Sequence, residues 1–222
     1  MTSRVAVVVF PGSNCEHDVV GALQRLGGSA SLVWHESRDL EGADGVVVPG
    51  GFAHGDYLRP GAIARFSPIM ESVAAFASAG RPVLGICNGF QVLSEAGLVP
   101  GALRPNDGRR FLCKTVICTV ASTTSSLTAG LAPGQELRLP INHYEGNYTI
   151  PPDQLARLEA NGQVVLRYTE NPNGSIGSVA GVANERGNVV GLMPHPERAS
   201  DPILGSGDGV PLLEAFLRST VG

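Results

Sequence analysis

The stretch Arg81-Pro82-Val83-Leu84-Gly85-Ile86-Cys87-Asn88-Gly89-Phe90-Gln91 decides the fold of this chain, because it joins a strand to a helix at a cysteine. The apolar run Val83–Ile86 predicts a buried strand, and Asn88–Ala96 predicts a helix. Cys87 has glycines at −2 and +2, the spacing of a G-x-S-x-G nucleophile elbow with sulfur in place of oxygen. Such a turn exposes its nucleophile at the carboxyl edge of a sheet, beside the free N–H groups of a helix N-terminus. A buried structural cysteine in a Gly-rich turn is the alternative that this stretch leaves open.

Length and composition restrict the class of protein. The chain has 222 residues, enough for a large α/β core, and we expect one domain over residues 1–222. Its net charge of −4 and its lack of any long run of like charge argue against a nucleic-acid surface or a polybasic membrane anchor. The four cysteines are too few for a disulfide scaffold and lack zinc-site spacing, so we expect no metal. With neither a signal peptide nor a long apolar run, the sequence favours a reducing cytoplasm.

Predicted strands and helices alternate through the first half of the chain. Short, wholly apolar strands between helices are typical of a parallel sheet that is covered on both faces. The second half has several strands joined by short links, which favours antiparallel pairing. We therefore predict an α/β, doubly wound, mostly parallel sheet with antiparallel extensions. The predicted strands are Val5–Phe10, Ala30–Trp34, Gly45–Val48, Val83–Ile86, Phe111–Val120, Glu136–Ile141, Gln163–Tyr168, Ser178–Ala183 and Asn188–Leu192. The predicted helices are Glu16–Leu26, Ser67–Ala79, Asn88–Ala96 and Pro211–Leu217.

A thiol nucleophile needs a base that takes its proton and later supplies one to the leaving group. Two histidines precede a glutamate by two positions: His143 with Glu145, and His195 with Glu197. The second pair directly follows the predicted strand Asn188–Leu192, and flanking prolines favour an extended geometry that puts both side chains on one side. Open α/β sheets assemble their active sites at such strand ends. We predict that His195 is the general base and acid and that Glu197 orients it; His143 is the alternative base.

The segment Pro49-Gly50-Gly51-Phe52 ends another predicted strand with two glycines. Backbone N–H groups at such a turn are free to point at an anion. We predict an oxyanion hole from the backbone N–H groups of Gly51, Phe52 and Asn88. An ordinary βα turn is the alternative.

These segments resemble the triad-type (class I) glutamine amidotransferases, whose Cys, His and Glu hydrolyse the side-chain amide of glutamine. The resemblance implies a nucleophile-elbow amidotransferase fold with Cys87, His195 and Glu197 as the catalytic residues. The chain departs from the family pattern at Ala53-His54, where Ser-Tyr is usual, and at Tyr144, where Gly is common. The segments that carry the resemblance are Phe10–Cys15, Pro49–Phe52, Gly55–Arg59, Gly85–Gln91, His143–Gly146, Asn171–Ser175 and Met193–Arg198.

The resemblance also implies partners. It narrows to glutaminase subunits of purine biosynthesis, which pass ammonia to a separate large synthetase subunit that uses ATP and Mg²⁺ to turn formylglycinamide ribonucleotide into its amidine. A small third subunit often bridges the two. The chain has no P-loop sequence of its own, and we expect it to carry no cofactor.

Several residues are candidates for binding rather than chemistry. The loops Gly55–Arg59 and Asn171–Ser175 are candidate contacts with glutamine or a partner, or plain solvated turns. A stand-alone Cys hydrolase and a non-catalytic binding domain on the same fold are the alternative functions. We expect the remaining cysteines, Cys15, Cys113 and Cys118, to be structural. The candidate substrate-binding residues are Gln91, His143, Asn173, Gly174 and Ser175.

Overall fold

A computed structural model describes residues 2–221 of the chain. Within this range the chain forms eleven β-strands and five α-helices. The strands are β1 (Arg4–Val9), β2 (Ser29–Trp34), β3 (Gly45–Val48), β4 (Val83–Ile86), β5 (Ala102–Arg104), β6 (Leu112–Val120), β7 (Glu136–His143), β8 (Asn147–Thr149), β9 (Val164–Tyr168), β10 (Val179–Ala183) and β11 (Val189–Leu192). The helices are α1 (Glu16–Arg25), α2 (Pro68–Ser78), α3 (Asn88–Glu95), α4 (Pro152–Ala160) and α5 (Val210–Ser219).

Nine of these strands form one sheet in the order β2-β1-β3-β4-β11-β10-β9-β6-β7. The five strands from β2 to β11 pair in parallel. The strands from β10 to β7 continue the sheet with antiparallel pairing. The predicted α/β class, with a parallel part and antiparallel extensions, is confirmed. The prediction of one domain over residues 1–222 stays a prediction.

The centre of the sheet is apolar on both faces. Every residue of β3, β4 and β11 is buried, as expected of parallel strands covered on two sides. Burying one Val or Leu side chain stabilises the fold by about 1.5–3 kcal/mol, so this apolar centre fixes which strands are neighbours. None of the helices in the described part of the chain combines the length and apolarity that a bilayer crossing requires.

Three elements have no counterpart among the predictions. Helix α4 buries only Leu155 and Leu158, so its apolar stripe is narrow, and it begins at the second of two prolines. Strands β5 and β8 have three residues each and pair only with one another in a separate antiparallel sheet. Such short segments have no periodicity of their own, and a partner distant in sequence stabilises them.

The sheet register brings three loops to one edge. In the pairing of β4 with β11, Gly85 lies opposite Gly191 and Ile86 opposite Leu192. On its other side, β4 pairs with β3, where Gly85 lies opposite Val48. Because these three strands are parallel, their carboxyl ends lie at the same edge of the sheet. The elbow at Cys87 therefore lies between the Gly50-Gly51 turn after β3 and the His195-Pro196-Glu197 turn after β11.

Candidate active site

The turn at Cys87 is a strained strand-to-helix elbow. Cys87 has φ 52° and ψ −107° and directly precedes α3. A left-handed backbone is unfavourable for a residue with a Cβ, so this conformation persists only where the surroundings enforce it. One such restraint is the hydrogen bond from the Cys87 N–H to the carbonyl oxygen of Leu192, at 2.8 Å. The thiol is 5% exposed and lies 3.4 Å from the carbonyl oxygen of Asn142.

The glycines on either side of Cys87 are required by close packing. A Cβ on Gly89 would overlap the carbonyl oxygen of Val48 at the end of β3. A Cβ on Gly85 would lie 2.6 Å from Cδ1 of Leu93 and 2.8 Å from the backbone of Gly89. Helix α3 therefore approaches the sheet more closely than any residue larger than glycine permits. This explains the glycine spacing that the sequence shows.

Replacing Gly89 with alanine should destabilise the protein by about 3 kcal/mol or more, because a backbone oxygen cannot move aside as a side chain can. Helix propensity alone predicts the opposite sign, a gain of about 1 kcal/mol. Denaturant unfolding of Gly89→Ala against the parent chain measures the difference. The control is Gly108→Ala, since a Cβ at Gly108 meets nothing within 4 Å; its stability should stay within about 0.5 kcal/mol. Unchanged stability of Gly89→Ala would contradict the close approach of α3.

His195 and Glu197 form a buried hydrogen-bonded pair. Nδ1 of His195 lies 2.6 Å from Oε1 of Glu197, and each residue is 1% exposed. Glu197 belongs to a short 3₁₀ helix, Pro196–Ala199, which begins directly after His195. The expected extended geometry is therefore wrong: the helical turn, and not strand alternation, brings the two side chains together. The His195 N–H is bonded to the carbonyl oxygen of Pro140 at 2.9 Å, which fixes the turn against β7.

The electrostatics of this pair favour a charged histidine. Burial disfavours the imidazolium, but the Glu197 carboxylate and the Cys87 sulfur outweigh it and raise the pKa of His195 well above its usual value. Nε2 of His195 is buried and has no hydrogen-bond partner among residues 2–221. The ring lines a cavity of about 150 Å³ together with Cys87. A buried polar atom without a partner beside an empty cavity is suited to meeting a substrate or the thiol proton.

His143 has a different environment. Its Nδ1 lies 3.1 Å from Oδ1 of Asn106, and no hydrogen bond or ion pair joins it to Glu145 in the described chain. Burial lowers the pKa of His143 to about 4, and the charge of nearby His195 acts in the same direction. His143 nevertheless lines a second cavity that includes Cys87. His143 is therefore an uncharged residue that lines the site. Within residues 2–221 it lacks the carboxylate partner that the His-x-Glu pattern suggested.

The three predicted oxyanion donors are not equivalent. The Phe52 N–H donates to the carbonyl oxygen of Gly12 at 2.9 Å, so the prediction of Phe52 as a donor is wrong for this conformation. The cause is a short antiparallel bridge between Ser13 and Gly51, which the sequence does not reveal. No backbone acceptor within residues 2–221 takes the N–H of Gly51 or Asn88. These two remain available for an oxyanion.

The second cavity, of about 130 Å³, has an acidic end. Asp56 and Glu145 line it together with Cys87 and Gln91. The Asn88 amide donates to Oδ1 of Asp56 at 3.0 Å and to Oε1 of Gln91 at 2.8 Å. Burial, helped by the neighbouring Glu145 carboxylate, raises the pKa of Asp56 to about 6 despite the hydrogen bond from Asn88. Burial also raises the pKa of Glu145.

Gln91 and Asp56 both line the second cavity. The role of Gln91 in substrate binding stays a prediction, and Asp56 was not among the predicted binding residues. The Gln91 amide donates to the carbonyl oxygen of Glu145 at 2.6 Å, which links α3 to the loop after β7. Asp56 belongs to Gly55–Arg59, one of the segments that carry the family resemblance, so the sequence did mark this region. The direction of the Asp56 side chain depends on the strained turn before it, where His54 has φ 54°.

The three candidates in the turn after β9 do not line either cavity that contains Cys87. The Asn173 amide donates to the carbonyl oxygen of Gly146 at 2.7 Å, and the Ser175 hydroxyl accepts from the Tyr148 N–H at 3.0 Å. Gly174 has φ 88° and packs against Asp107. This turn therefore supports the loop that carries Glu145 and makes no direct contact with the space beside the thiol.

Cys15 lies beside the pair of His195 and Glu197, which the expectation of a structural cysteine did not anticipate. Its sulfur, a ring nitrogen of His195 and a carboxylate oxygen of Glu197 lie within 4.8 Å of one another. The geometry opposes a metal there, because Arg198 donates to the Cys15 sulfur at 3.2 Å and His195 is already bonded to Glu197. The other two cysteines differ from each other: Cys118 is buried, which raises its pKa to about 12, and Cys113 is exposed.

Comparison with known proteins adds an independent line of evidence. The family model of the CobB/CobQ-like glutamine amidotransferase domain matches residues 2–207. The phosphoribosylformylglycinamidine synthase subunit PurQ of Rubrobacter xylanophilus is 59% identical over 214 residues, which is 96% of this chain and 97% of that one. The subunit of the same name from Thermomicrobium roseum is 53% identical over 224 residues, covering 96% of this chain and 95% of its own.

A solved structure agrees. A chain in the structure of PurLQS from Thermotoga maritima superposes with a TM-score of 0.91 at 42% identity. The superposition covers 98% of this chain and 99% of that chain. The likeness therefore extends over the whole sheet, including the antiparallel strands.

Proposed function

We propose a function from the premise that the chain belongs to the family of CobB/CobQ-like glutamine amidotransferase domains. It acts as the glutaminase subunit of phosphoribosylformylglycinamidine synthase: it hydrolyses glutamine to glutamate and ammonia, which a synthetase subunit uses to make formylglycinamidine ribonucleotide. The observation that carries this proposal is the 2.6 Å pair of His195 and Glu197 beside the Cys87 elbow, in a chain similar throughout its length to subunits of that enzyme.

The proposed chemistry uses the three catalytic residues in turn. Nε2 of His195 takes the proton of Cys87, and the sulfur attacks the carboxamide carbon of glutamine. The N–H groups of Gly51 and Asn88 stabilise the oxyanion that develops. When the C–N bond breaks, His195 returns the proton to the departing ammonia and a γ-glutamyl thioester remains. Water, deprotonated by His195, then hydrolyses the thioester, while Glu197 holds the ring and stabilises the imidazolium.

The acidic end of the second cavity suits the other end of the substrate. Glutamine is cationic at its α-ammonium group at neutral pH, and Asp56 and Glu145 are the carboxylates that line the cavity with Cys87. With the amide at the thiol, we propose that the ammonium lies against these carboxylates. Gln91 positions this wall through its bond to the Glu145 carbonyl oxygen.

Glutamine binding should weaken as the pH falls through 6. The pKa of Asp56 is raised to about 6 in the empty site, so its carboxylate is ionised above this pH and neutral below it. The KM for glutamine should therefore be lowest near neutral pH and rise on acidification. Steady-state glutaminase assays between pH 5 and 8 measure this. In Asp56→Asn the KM should be higher by roughly 10- to 150-fold at pH 7.5 and should lose that step, since a hydrogen bond to a charged group contributes about 1.5–3 kcal/mol. A step of unchanged size in the variant would rule out Asp56 as its cause.

Partners follow from the chemistry of ammonia. Ammonia released into water is protonated and is no longer nucleophilic. We therefore propose that the mouth of the site docks on a large subunit that uses ATP and Mg²⁺, with a small bridging subunit. The loop Gly55–Arg59 is one candidate contact, because Tyr57 is 73% and Leu58 87% exposed. Asn171–Ser175 is a weaker candidate, since its side chains are bonded within the chain. We propose that the enzyme acts in the cytoplasm, because the role of the family in purine biosynthesis implies this location.

Glutamine turnover should depend on the partner. The isolated chain should hydrolyse glutamine at least tenfold more slowly than the chain assembled with the synthetase subunit, its ribonucleotide substrate and ATP. Ammonia release is measured in both states with the same amount of chain. Equal and high turnover in both states would favour a stand-alone Cys hydrolase, and no turnover in either would favour a non-catalytic binding domain.

A further inference from the structure

Aromatic side chains surround the opening to the catalytic thiol. Phe52 is 48% exposed, Phe111 50% and Tyr144 42%. Each of them lines a cavity that also contains Cys87: Phe111 in the first, Tyr144 in the second and Phe52 in both. Single exposed apolar residues are normal on protein surfaces. Three around one opening form a local apolar rim.

Unpaired arginines lie beside this rim. Arg104 and Arg109 line a cavity of about 450 Å³ that also includes Tyr144, and Arg110 directly precedes Phe111. All three arginines are exposed, and none of their guanidinium groups makes an ion pair or a hydrogen bond within residues 2–221.

Elsewhere in that range, arginines are commonly paired with carboxylates. Those that form ion pairs are Arg4, Arg38, Arg59, Arg65, Arg81, Arg167, Arg198 and Arg218. Asp107 shares the cavity with Arg104 and Arg109, but it accepts from the Asn147 amide at 2.9 Å and pairs with neither of them. In a chain with a net charge of −4, the mouth thus presents three arginines without a carboxylate partner within residues 2–221, and Asp107 is the one carboxylate that shares their cavity.

We propose that this mouth surface, consisting of Arg104, Arg109, Arg110, Phe52, Phe111 and Tyr144, docks an acidic face of the synthetase subunit. The proposal rests on the proposed function, which supplies the need for a partner at this opening. Aromatic and arginine side chains are the types enriched at protein interfaces and at their energetic centres. A guanidinium fork suits a carboxylate, so the partner presents Asp or Glu side chains to the arginines while its apolar groups cover the rim.

The mouth surface is continuous with the loop Gly55–Arg59. Asp56 of that loop and Tyr144 line the same cavity from two sides. Arg59 is not free to bind a partner, because its guanidinium is bonded to both carboxylate oxygens of Glu95 at 2.6 and 2.7 Å. Charge recognition is therefore assigned to the arginines near Tyr144, and the exposed Tyr57 and Leu58 extend the apolar part of the contact.

The test is charge reversal at Arg104 and Arg109, which belong to neither the triad nor the glutamine cavity. The matched control is R138E/R157E, two exposed arginines whose guanidinium groups form no ion pair or hydrogen bond within residues 2–221 and that belong to neither the mouth surface nor a cavity with Cys87. Affinity for the purified synthetase and bridging subunits is measured by biolayer interferometry at low and at physiological salt. R104E/R109E should weaken the Kd at least tenfold and flatten its salt dependence, whereas the control should stay within twofold of the parent chain.

Two further measurements distinguish the possible outcomes. Thermal unfolding and labelling of Cys87 by a glutamine-like electrophile should be unchanged in R104E/R109E, which shows an intact site. Parent-like affinity of R104E/R109E, or equal weakening in the control, would overturn the proposal. A third outcome would overturn it as well: the parent chain binds inorganic phosphate, and R104E/R109E loses this binding but keeps its affinity for the synthetase. That result would mark a site for small anions. A parent chain that does not bind the synthetase at all would overturn the proposed function itself.

Discussion

Cys87→Ala should abolish glutamine-dependent synthesis by the assembled complex while leaving ammonia-dependent synthesis largely intact. In the proposed mechanism the thiol forms the covalent intermediate, and loss of a nucleophile costs on the order of 10⁴–10⁶ in turnover. Ammonia supplied from solution bypasses this step, because the synthetase subunit needs only the product of the glutaminase. The two rates are measured on the same preparation with glutamine or an ammonium salt as nitrogen donor. Loss of both activities, or of neither, would remove Cys87 from the role of nucleophile.

The other cysteines provide the controls for this experiment. Cys113 is exposed and lines neither catalytic cavity, so Cys113→Ala should keep both activities. Alkylation by a glutamine-like electrophile should label Cys87 alone, as judged by peptide mass spectrometry. Cys15 is the informative competitor because it lines the cavity of His195 and Cys87. A dominant label on Cys15 would contradict the assignment.

His195→Ala should cost roughly 10⁴–10⁶ in glutamine-dependent turnover, and Glu197→Gln a smaller factor of roughly 10²–10⁴. In the proposed mechanism the histidine transfers the proton, whereas the glutamate orients the ring and stabilises its charge. Removing the carboxylate leaves burial as the main influence, so the pKa of His195 should fall in Glu197→Gln. NMR titration of the ring measures this fall independently of activity.

His143→Ala provides the contrast for this prediction. His143 lines the cavity proposed for glutamine but has no carboxylate partner within residues 2–221, so its loss should raise the KM more than it lowers kcat. Abolished chemistry in His143→Ala together with nearly full activity in His195→Ala would mean that the other His-x-Glu pair is catalytic. Ammonia-dependent synthesis should persist in all three variants.

Most of the strands and helices could be predicted because their signals are local, whereas β5 and β8 are too short to carry such a signal. The apolar runs that became β3 and β4 need no partner to be recognised, and the bounds Gly45–Val48 and Val83–Ile86 match the prediction. The elbow could also be predicted from a local signal, because the glycine spacing around Cys87 reflects the close contact of α3 with β3 and β4. Helix α4 was missed because a narrow stripe of Leu155 and Leu158 is weak evidence in any window.

The parts of the site that the sequence did not reveal depend on contacts between distant segments. Phe52 lost its expected role because its N–H donates to the carbonyl oxygen of Gly12, and the pairing of β1 with β3 brings these distant residues together. Asp56 entered the site through a strained loop whose direction no local pattern specifies. Cys15 lies beside His195 and Glu197 because the turn before α1 packs on the Gly50-Gly51 turn, where the Cys15 N–H donates to the carbonyl oxygen of Gly50 at 3.2 Å.

The adjacency of β4 and β11 also determines when activity can arise during the life of the molecule. These strands are neighbours in the sheet, yet Cys87 and His195 are separated by roughly a hundred residues along the chain, and a loop of that length must close before the two can lie side by side. A nascent chain on the ribosome thus carries the thiol long before the proposed base has been translated. In the proposed mechanism, glutamine hydrolysis therefore cannot begin until β11 has been translated and paired with β4.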